Sequence, residues 1–299
     1  MTHVFVSPHP DDAALSCGGL IAKLRADGAA VTILTVFSGS GTLPRLTPYQ
    51  RLALGFGSSA KWQPGDDSDA LAGSGRALAE PEAGEAIPTP EQVMAARRAE
   101  DESFAGFVGA SVVFVNLPDA VFRGYEGDAG LMGLPRPDDP PPTDELRAAL
   151  ARLSPEALYL PLAVGGHVDH RQVRRAGTAL LAEPGSPYRD RTRFYEDFPY
   201  ALTTGFERVE RLDAEFLPSL PAGVTLTPEY VEIDEMLDRK LAGLRAYESQ
   251  LGRLFGGDNP MASDVREQAR RVGDTGGVGP SERYWRVTIP AAGPTGVIS

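Results

Sequence analysis

The chain has 299 residues, 42% of them apolar, with 29 Lys+Arg against 41 Asp+Glu and a formal charge of −12. That is enough chain for one large core, or one core with an appended subdomain, and the composition is neither disordered nor membrane-like. No run approaches the roughly 18 consecutive apolar residues of a spanning helix, and the acidic balance weighs against nucleic acid as a partner.

The N-terminus enters MTHVFVSPHPDD without a basic n-region and apolar h-region, so a cytoplasmic location is expected. Cys17 is the only cysteine, which excludes an intrachain disulfide and is consistent with a reducing compartment.

In chain order, His3 to Pro8 (HVFVSP) reads as a short buried strand, because Val4, Phe5 and Val6 form a continuous apolar run. Pro10-Asp11-Asp12 then opens a helix: proline is tolerated in the first turn, and acids there complement the helix dipole. Gly28 closes that helix, and Ala30 to Phe37 (AVTILTVF) is a second buried strand, completing a βαβ unit. Between Ser38 and Pro90 the sequence is rich in Gly, Ser, Ala and Pro, and reads as a long loop.

Glu91 to Val108 is a helix, Ser111 to Asn116 a strand, and Thr143 to Leu153 a capped helix. Ala157 to Pro161 is the next buried strand and runs into the turn VGGHVDH, after which Arg171 to Leu181 is helical. Thr192 to Glu196 is expected to be a strand, Ile233 to Leu251 one long helix, and Tyr284 to Ile289 a last strand within a Gly-rich tail. Alternating strands and helices indicate an α/β fold, a three-layer αβα sandwich with a Rossmann-like, mostly parallel sheet. No internal repeat or linker divides the chain, so residues 1–299 are expected to form a single domain, with loop insertions near 40–90 and 252–280.

Histidine is the informative scarcity: there are four, at positions 3, 9, 167 and 170. His9-Pro10-Asp11-Asp12 and His167-Val168-Asp169-His170 both stand just after a buried strand and before a helix, where ligands bind in open parallel sheets. Each motif spaces two donors three positions apart, so one helical turn sets them on the same side. Zinc favours imidazole nitrogen and carboxylate oxygen, with three protein ligands in catalytic sites. Two histidines and one carboxylate meet that demand, and on spacing alone His167 is as eligible as His170. The spare acids, Asp11 and Asp169, suit the two further roles a metal hydrolase needs: taking a proton from the attacking water, and orienting an imidazole. Taken singly, Asp-Asp after a strand is often a helix cap, and an HxxH pair is commonly just solvated. The two motifs together, using three of four histidines, are hard to read that way; His3 is expected to be a partly buried strand residue.

The stretches PHPDDAALSCGG (Pro8 to Gly19), VTILTVFSG (Val31 to Gly39), RRAEDESFAGFVGA (Arg97 to Ala110), LPDAVFRG (Leu117 to Gly124) and PLAVGGHVDH (Pro161 to His170) resemble the LmbE-like (PIG-L) N-deacetylases, with weaker likeness at FYEDFPY (Phe194 to Tyr200) and KLAGLRAYESQ (Lys240 to Gln250). These are zinc-dependent enzymes acting on N-acetylglucosaminyl conjugates. The resemblance implies His9, Asp12 and His170 as metal ligands and Asp11 as the general base. It implies His167 as the electrophilic partner at the oxyanion or leaving amine, and Asp169 as a hydrogen-bond partner that tunes a site histidine. Arg97, ahead of Glu100 in an R-x-x-E pattern, would bind substrate, and Asp119 would lie near the sugar.

The implied activity is metal-dependent hydrolysis of an N-acetyl group from an amino-sugar conjugate, a small-molecule glycoconjugate, with no nucleic-acid or membrane partner. The implied cofactor is Zn(II), although the same donors accept Fe(II), Co(II) or Mn(II). A homo-oligomer is compatible with this reading. Two alternatives stand beside it: a metal-dependent amidase or deacylase acting on a non-sugar natural product, and a non-catalytic carbohydrate-binding protein on the same fold. The long segments at 40–90 and 252–280 bear on substrate rather than on the metal. Tyr49 and Trp62, in the first of them, are more often local packing than contacts to an apolar aglycone.

Overall fold

The continuous apolar runs become strands covered on both faces. A computed structural model describes residues 1–54, 88–203, 220 and 224–288. The strands are β1 (Thr2–Ser7), β2 (Ala30–Thr35), β3 (Ser111–Phe114), β4 (Ala157–Pro161), β5 (Thr192–Tyr195), β6 (Thr225–Glu232) and β7 (Ser281–Thr288). They lie in the order β3-β2-β1-β4-β5-β7-β6. The first five are parallel, and β7 runs antiparallel to both β5 and β6. The helices used below are α1 (Asp12–Ala26), α2 (Pro48–Ala53), α3 (Pro90–Val108), α4 (Gly127–Leu131), α5 (Thr143–Leu153), α6 (Val168–Ala182), α7 (Asp234–Leu244), α8 (Glu248–Phe255) and α9 (Asp258–Gly276).

Alternation along each strand sorts its residues into two cores. Phe5, Val31, Ile33 and Tyr159 join Leu15 and Ile21 of α1, Phe104 of α3 and Leu241 of α7 on one face. Val4, Val6, Leu34, Leu158 and Leu160 meet Leu146 and Leu150 of α5 and Val173 and Leu180 of α6 on the other. This is the expected αβα arrangement, a mostly parallel sheet between helices. The chain leaves β1 toward β2 on one side and leaves β4 toward β5 on the other, so the β1–β4 pair is the topological switch point of the sheet. Helix α6 sits tight on β4 because Gly177 presents no side chain: a Cβ there would meet Leu160 Cδ1 at 2.5 Å.

Three expectations need correction. The segment 252–280 is not a loop insertion: it holds the end of α8 and the 19-residue α9. Met261, Val265, Ala269 and Val272 fall on one face of α9 and bury against the sheet layer, a stripe hidden in the sequence by small residues among many charges. The helix expected over Ile233 to Leu251 is two, α7 and α8, broken at Arg245 to Tyr247, where Tyr247 turns its hydroxyl to Asp101. Strand β6 was not foreseen, because its polar, half-exposed residues at the sheet edge lack the apolar signature of the inner strands. Within the expected loop at 40–90, Pro48–Ala53 is helical, and the remainder, Trp62 included, lies largely outside the described residues. Among the described residues no helix is long and apolar enough to cross a membrane.

A buried ion pair fastens the α1 layer to the sheet. Lys240 Nζ donates to Glu282 at 2.8 Å, and the same carboxylate accepts from the amides of Gly19 and Leu20 and from the Tyr284 hydroxyl. Removing one member strands a buried charge, so Lys240→Met should cost about 3–5 kcal/mol in denaturant unfolding. The double variant Lys240→Met/Glu282→Gln should cost less. A loss from Lys240→Met within about 0.5 kcal/mol of zero, as for an exposed substitution, would contradict this account.

Candidate functional site

Both histidine motifs sit at the carboxyl ends of paired neighbours, β1 and β4, and the structure brings them together there. The loop after β1 is pinned by Ser7, whose hydroxyl donates to the His9 carbonyl at 2.7 Å and accepts from the Ala13 amide at 2.9 Å. Asp11 adopts φ 109°, a conformation few non-glycine residues take. Its backbone amide bonds to the Asp101 carboxylate, which also accepts from Thr35 and Tyr247 at 2.6 and 2.7 Å. The strain is thus held by three elements at once. After β4, Gly165 and Gly166 both take positive φ, and a Cβ on Gly165 would strike the Tyr200 ring at 2.6 Å. That turn delivers His167 as the N-cap of α6 and His170 within its first turn.

Asp12 lies at the centre. Its Oδ2 accepts from the His9 amide at 2.8 Å and stands 3.2 Å from both His9 Nδ1 and His170 Nε2. Each imidazole is held from behind by another carboxylate. His9 Nε2 lies 2.8 Å from Asp169 Oδ2 and 3.6 Å from Asp119 Oδ2. His170 Nδ1 lies 2.6 Å from Asp197 Oδ1, and Asp197 is itself fixed by the Val164 amide at 2.9 Å. Asp169 is anchored by the Ala120 amide and by Arg123 at 2.5 Å.

His167 accepts from the Asp169 amide at Nδ1, which leaves Nε2 to carry the proton. Arg97, on α3, donates to the Pro10 carbonyl at 3.1 Å and stands 3.6 Å from Asp11 and 3.8 Å from Asp119. Asp119 caps the following 3-10 turn through the Val121 amide. All eight residues singled out from the sequence are buried around one cleft or directly behind its lining. Glu100 points elsewhere and tethers Ser249 at the start of α8.

Two further residues belong to the site. Asp197 and Arg123 lie in the FYEDFPY and LPDAVFRG stretches but were not singled out. Asp197 had a signal, since it follows β5, the next parallel strand after β4, and so occupies the same kind of position as the two histidine motifs. Arg123 had none, because only tertiary packing brings it to Asp169.

The charges are strongly perturbed. Burial opposes a charge on His9, but Asp119, Asp12 and Asp169 outweigh it and raise its pKa to about 9. Burial likewise opposes His170, yet Asp12 and Asp197 hold it well above the ordinary imidazole range. Burial and the neighbouring His9 push His167 well below that range, so it is a neutral imidazole. Burial and the adjacent Asp12 raise Asp11 to about 8, against the opposing pull of Arg97. Asp12 and Asp169 are held low by their histidine partners despite their burial.

Donor set and spacing fit a metal ion. His170 Nε2 is buried, faces Asp12 and has no hydrogen-bond partner. Ligands around a tetrahedral ion with bonds of about 2.0–2.1 Å lie about 3.3 Å apart, close to the two 3.2 Å separations at Asp12. His9, His167 and His170 can also offer three nitrogens within 4.8 Å of one another, as can His9, Asp119 and Asp169 one atom each. The upward pull on two buried histidines says that the surrounding carboxylates call for positive charge. The cleft in front of these groups has an outer wall that includes Ala53, Leu131, Gln250, Arg253 and Leu254.

Comparison with known proteins gives relatives over nearly the whole chain. The model of the PIG-L family, described as GlcNAc-PI de-N-acetylase, matches residues 4–181. A 2'-N-acetylparomamine deacetylase of Streptomyces fradiae is 31% identical over 293 residues, covering 92% of this chain and 83% of its own. A 1D-myo-inositol 2-acetamido-2-deoxy-alpha-D-glucopyranoside deacetylase of Rhodococcus opacus (strain B4) is 28% identical, covering 83% and 81%. Among solved structures, the antimicrobial reagent A40926 pseudoaglycone deacetylase Dbv21 superposes with a TM-score of 0.67 at 26% identity, covering 97% and 98%.

Two outcomes follow from the geometry. Asp197→Ala should weaken metal affinity about 10–100-fold, measured by competition with a chelating indicator, because it frees the His170 ring; unchanged affinity would remove Asp197 from the site. Metal-free protein should lose thermal stability as pH rises from about 6.5 through about 9. His9 and Asp11 bind protons more tightly in the fold than in the unfolded chain, with pKa values of about 9 and about 8 against 6.5 and 3.8. Their contribution is complete below the unfolded values and is lost as pH climbs through the folded ones. A melting temperature that rises over this window would contradict the charge assignment.

Proposed function

We propose a function from one premise: the chain belongs to the PIG-L family, GlcNAc-PI de-N-acetylase. It is a metal-dependent deacetylase that hydrolyses the N-acetyl group of an N-acetylglucosamine-type conjugate, the class of reaction named for its relatives. The observation that carries this reading is the Asp12 carboxylate set 3.2 Å from a nitrogen of both His9 and His170 at the floor of a cleft. We assign those three residues as the metal ligands. Asp169 and Asp197 orient the two imidazoles by holding their other nitrogens. Two imidazoles with one carboxylate suit Zn(II), and Fe(II), Co(II) or Mn(II) can compete for the same donors. When bound, the metal supplies Lewis-acid polarisation of the acyl oxygen and acidifies water beside it.

The chain's own groups then divide the proton chemistry. Asp11, raised to about 8, is matched to accept the proton of an attacking water near neutral pH. Its strained backbone and the Arg97 contact fix the carboxylate at the cleft wall. His167 is neutral with its proton on Nε2, so it donates a hydrogen bond to the developing oxyanion. The departing nitrogen must be protonated, because an amide anion is a poor leaving group, and the proton that Asp11 takes from water is the one available for it. Arg97 and Asp119 form the polar wall for the sugar, one donating and one accepting.

Metal content and acetate release from N-acetylglucosaminides, measured before and after chelation, test the reading. Release should stop on chelation and return when metal is restored. Asp11→Asn should keep its metal and lose about 10²–10⁴ in kcat. A metal-replete enzyme that frees no acetate from a panel of N-acetylated amino sugars would overturn the activity, and an Asp11→Asn enzyme with unimpaired turnover would overturn the base.

A further inference from the structure

The residue assigned as the base follows a peptide that one helix grips from both sides. Arg97 and Asp101 stand one turn apart on α3 and so project from the same face. Arg97 Nη2 donates to the Pro10 carbonyl at 3.1 Å, and the Asp101 carboxylate accepts from the Asp11 amide. That carbonyl and that amide belong to one planar peptide group, which cannot rotate without breaking one of these bonds. Beyond Asp11, its own carbonyl accepts from the Leu15 amide at 2.8 Å, the opening bond of α1. With the peptide before Asp11 and the carbonyl after it both held, φ 109° and ψ −36° are fixed. The direction of the Asp11 side chain is fixed with them.

Asp101 is itself held. It is buried, and it accepts from the hydroxyls of Thr35 on β2 at 2.6 Å and of Tyr247 at 2.7 Å. Burial raises its pKa to about 6 against the pull of these donors and of the Asp11 amide, so at neutral pH it is a carboxylate and only accepts. Tyr247 stands at the break between α7 and α8, and Ser249, two residues on, is tied to Glu100 by its amide and hydroxyl. The junction that starts α8 is therefore fastened to the same turn of α3 that holds the Asp11 peptide. An apolar residue at 101 would avoid the cost of a buried charge. What the carboxylate supplies is one acceptor for three donors from three separate segments. Without it the Asp11 amide would be buried and unpaired, and the residue would relax toward negative φ.

We propose that Asp101 is a positioning residue for the deacetylation, seated by Tyr247, and that the pair holds the Asp11 peptide at positive φ so that the Asp11 carboxylate meets the attacking water. The inference rests on the deacetylase reading for the role of Asp11. Asp101 touches no substrate and acts only through the Asp11 backbone. Misplacing a reacting group by about 1 Å can cost about 10²-fold in rate, so a clamp on one peptide is enough to matter. Steady-state kinetics on an N-acetylglucosaminide, with metal content measured for each variant, test this. Asp101→Leu should lose about 10²-fold in kcat. Tyr247→Phe, which removes one bond and leaves no unpaired donor, should lose about 3–10-fold, and it carries the test if Asp101→Leu does not fold. In both, KM should stay within about twofold and metal should stay stoichiometric. In an Asp11→Asn background neither change should lower kcat further, because no base is left to position. A loss that falls on KM, a loss of metal, or losses that add to that of Asp11→Asn overturns the proposal. Lys240→Met controls for lost stability in the same layer: its kcat should be unchanged, and a loss equal to that of Tyr247→Phe also overturns the proposal.

Melting temperatures read the clamp without turnover. Asp11→Gly should melt about 2–4 °C above Asp11→Asn, because both lack the carboxylate and only glycine takes φ 109° freely. In a Tyr247→Phe background that gap should narrow by at least about half, since the peptide is freer to relax. An equal gap in both backgrounds overturns the proposal. If the wild-type protein frees no acetate from any N-acetylated amino sugar while the gap narrows, the deacetylase reading fails and the clamp on Asp11 stands. If acetate is freed, and neither kcat nor the gap responds to Asp101 or Tyr247, the clamp fails and the reading stands.

Discussion

The Asp12 carboxylate, buried between the imidazoles of His9 and His170, which lie far apart in the sequence, is the contact on which the site is organised. It exists because β1 and β4 are paired neighbours at the point where the sheet reverses its direction of growth. A parallel strand ends where a helix must begin, so each strand of that pair delivers one short polar motif to the same edge. Asp12 sits in the first turn of α1 and His170 in the first turn of α6, where helix geometry fixes their directions. The contact depends on these elements and on the two short strand-to-helix connections between them, not on any long loop.

Charge balance explains much of what surrounds it. Asp11, Asp12, Asp119, Asp169 and Asp197 are all buried, and among the described residues the guanidiniums of Arg97 and Arg123 pair with members of this group. Five carboxylates against two guanidiniums leave a deficit of positive charge, and His9 and His170 respond by binding protons more tightly. A metal ion at the same place would meet the same deficit. The arrangement also separates roles between neighbours in sequence. Asp12 faces two imidazoles and is held ionised, whereas Asp11 faces Arg97 across a longer gap and is pushed toward neutrality. Adjacent carboxylates with divergent proton affinities are what acid–base chemistry at one centre requires.

The floor and the outer wall of the cleft differ in origin. The match to the family covers residues 4–181 and contains all eight residues first singled out, while Asp197, Tyr200, Gln250 and Arg253 lie beyond it. The later residues arrive on elements built differently: Asp197 follows the last parallel strand, and Gln250 and Arg253 ride on α8, docked through Glu100 and Ser249. Helix α9 covers the outer side of that layer with its apolar stripe. Chemistry thus resides on the parallel half of the sheet, and much of the substrate-facing wall on helices appended to it.

The parallel half of this fold was readable because its strands are continuous apolar runs, and both histidine motifs announced themselves by following such runs. A buried strand covered on two faces needs uninterrupted apolar residues, so the pattern is local and survives without coordinates. Composition and four histidines narrowed the site to His9, Asp11, Asp12, His167, Asp169 and His170 before any geometry was known, and the family resemblance added Arg97 and Asp119. Other features were not local. Strand β6 lies at an exposed edge and shows no apolar run, and α9 hides a thin apolar stripe among charges. The break at Arg245 to Tyr247 is accompanied by a hydrogen bond from Tyr247 to Asp101, 146 residues away. The choice between His167 and His170 also needed more than spacing, since both are three-residue partners in the same motif. Helix geometry set His170 Nε2 toward Asp12 and bound His167 Nδ1 to the Asp169 amide. Sequence determined which residues could do chemistry, because residue type and strand context are local properties. Tertiary structure decided which nitrogen faces which carboxylate, and brought Arg123, Asp197 and Arg253 to the cleft, because those relations depend on packing between segments far apart in the chain.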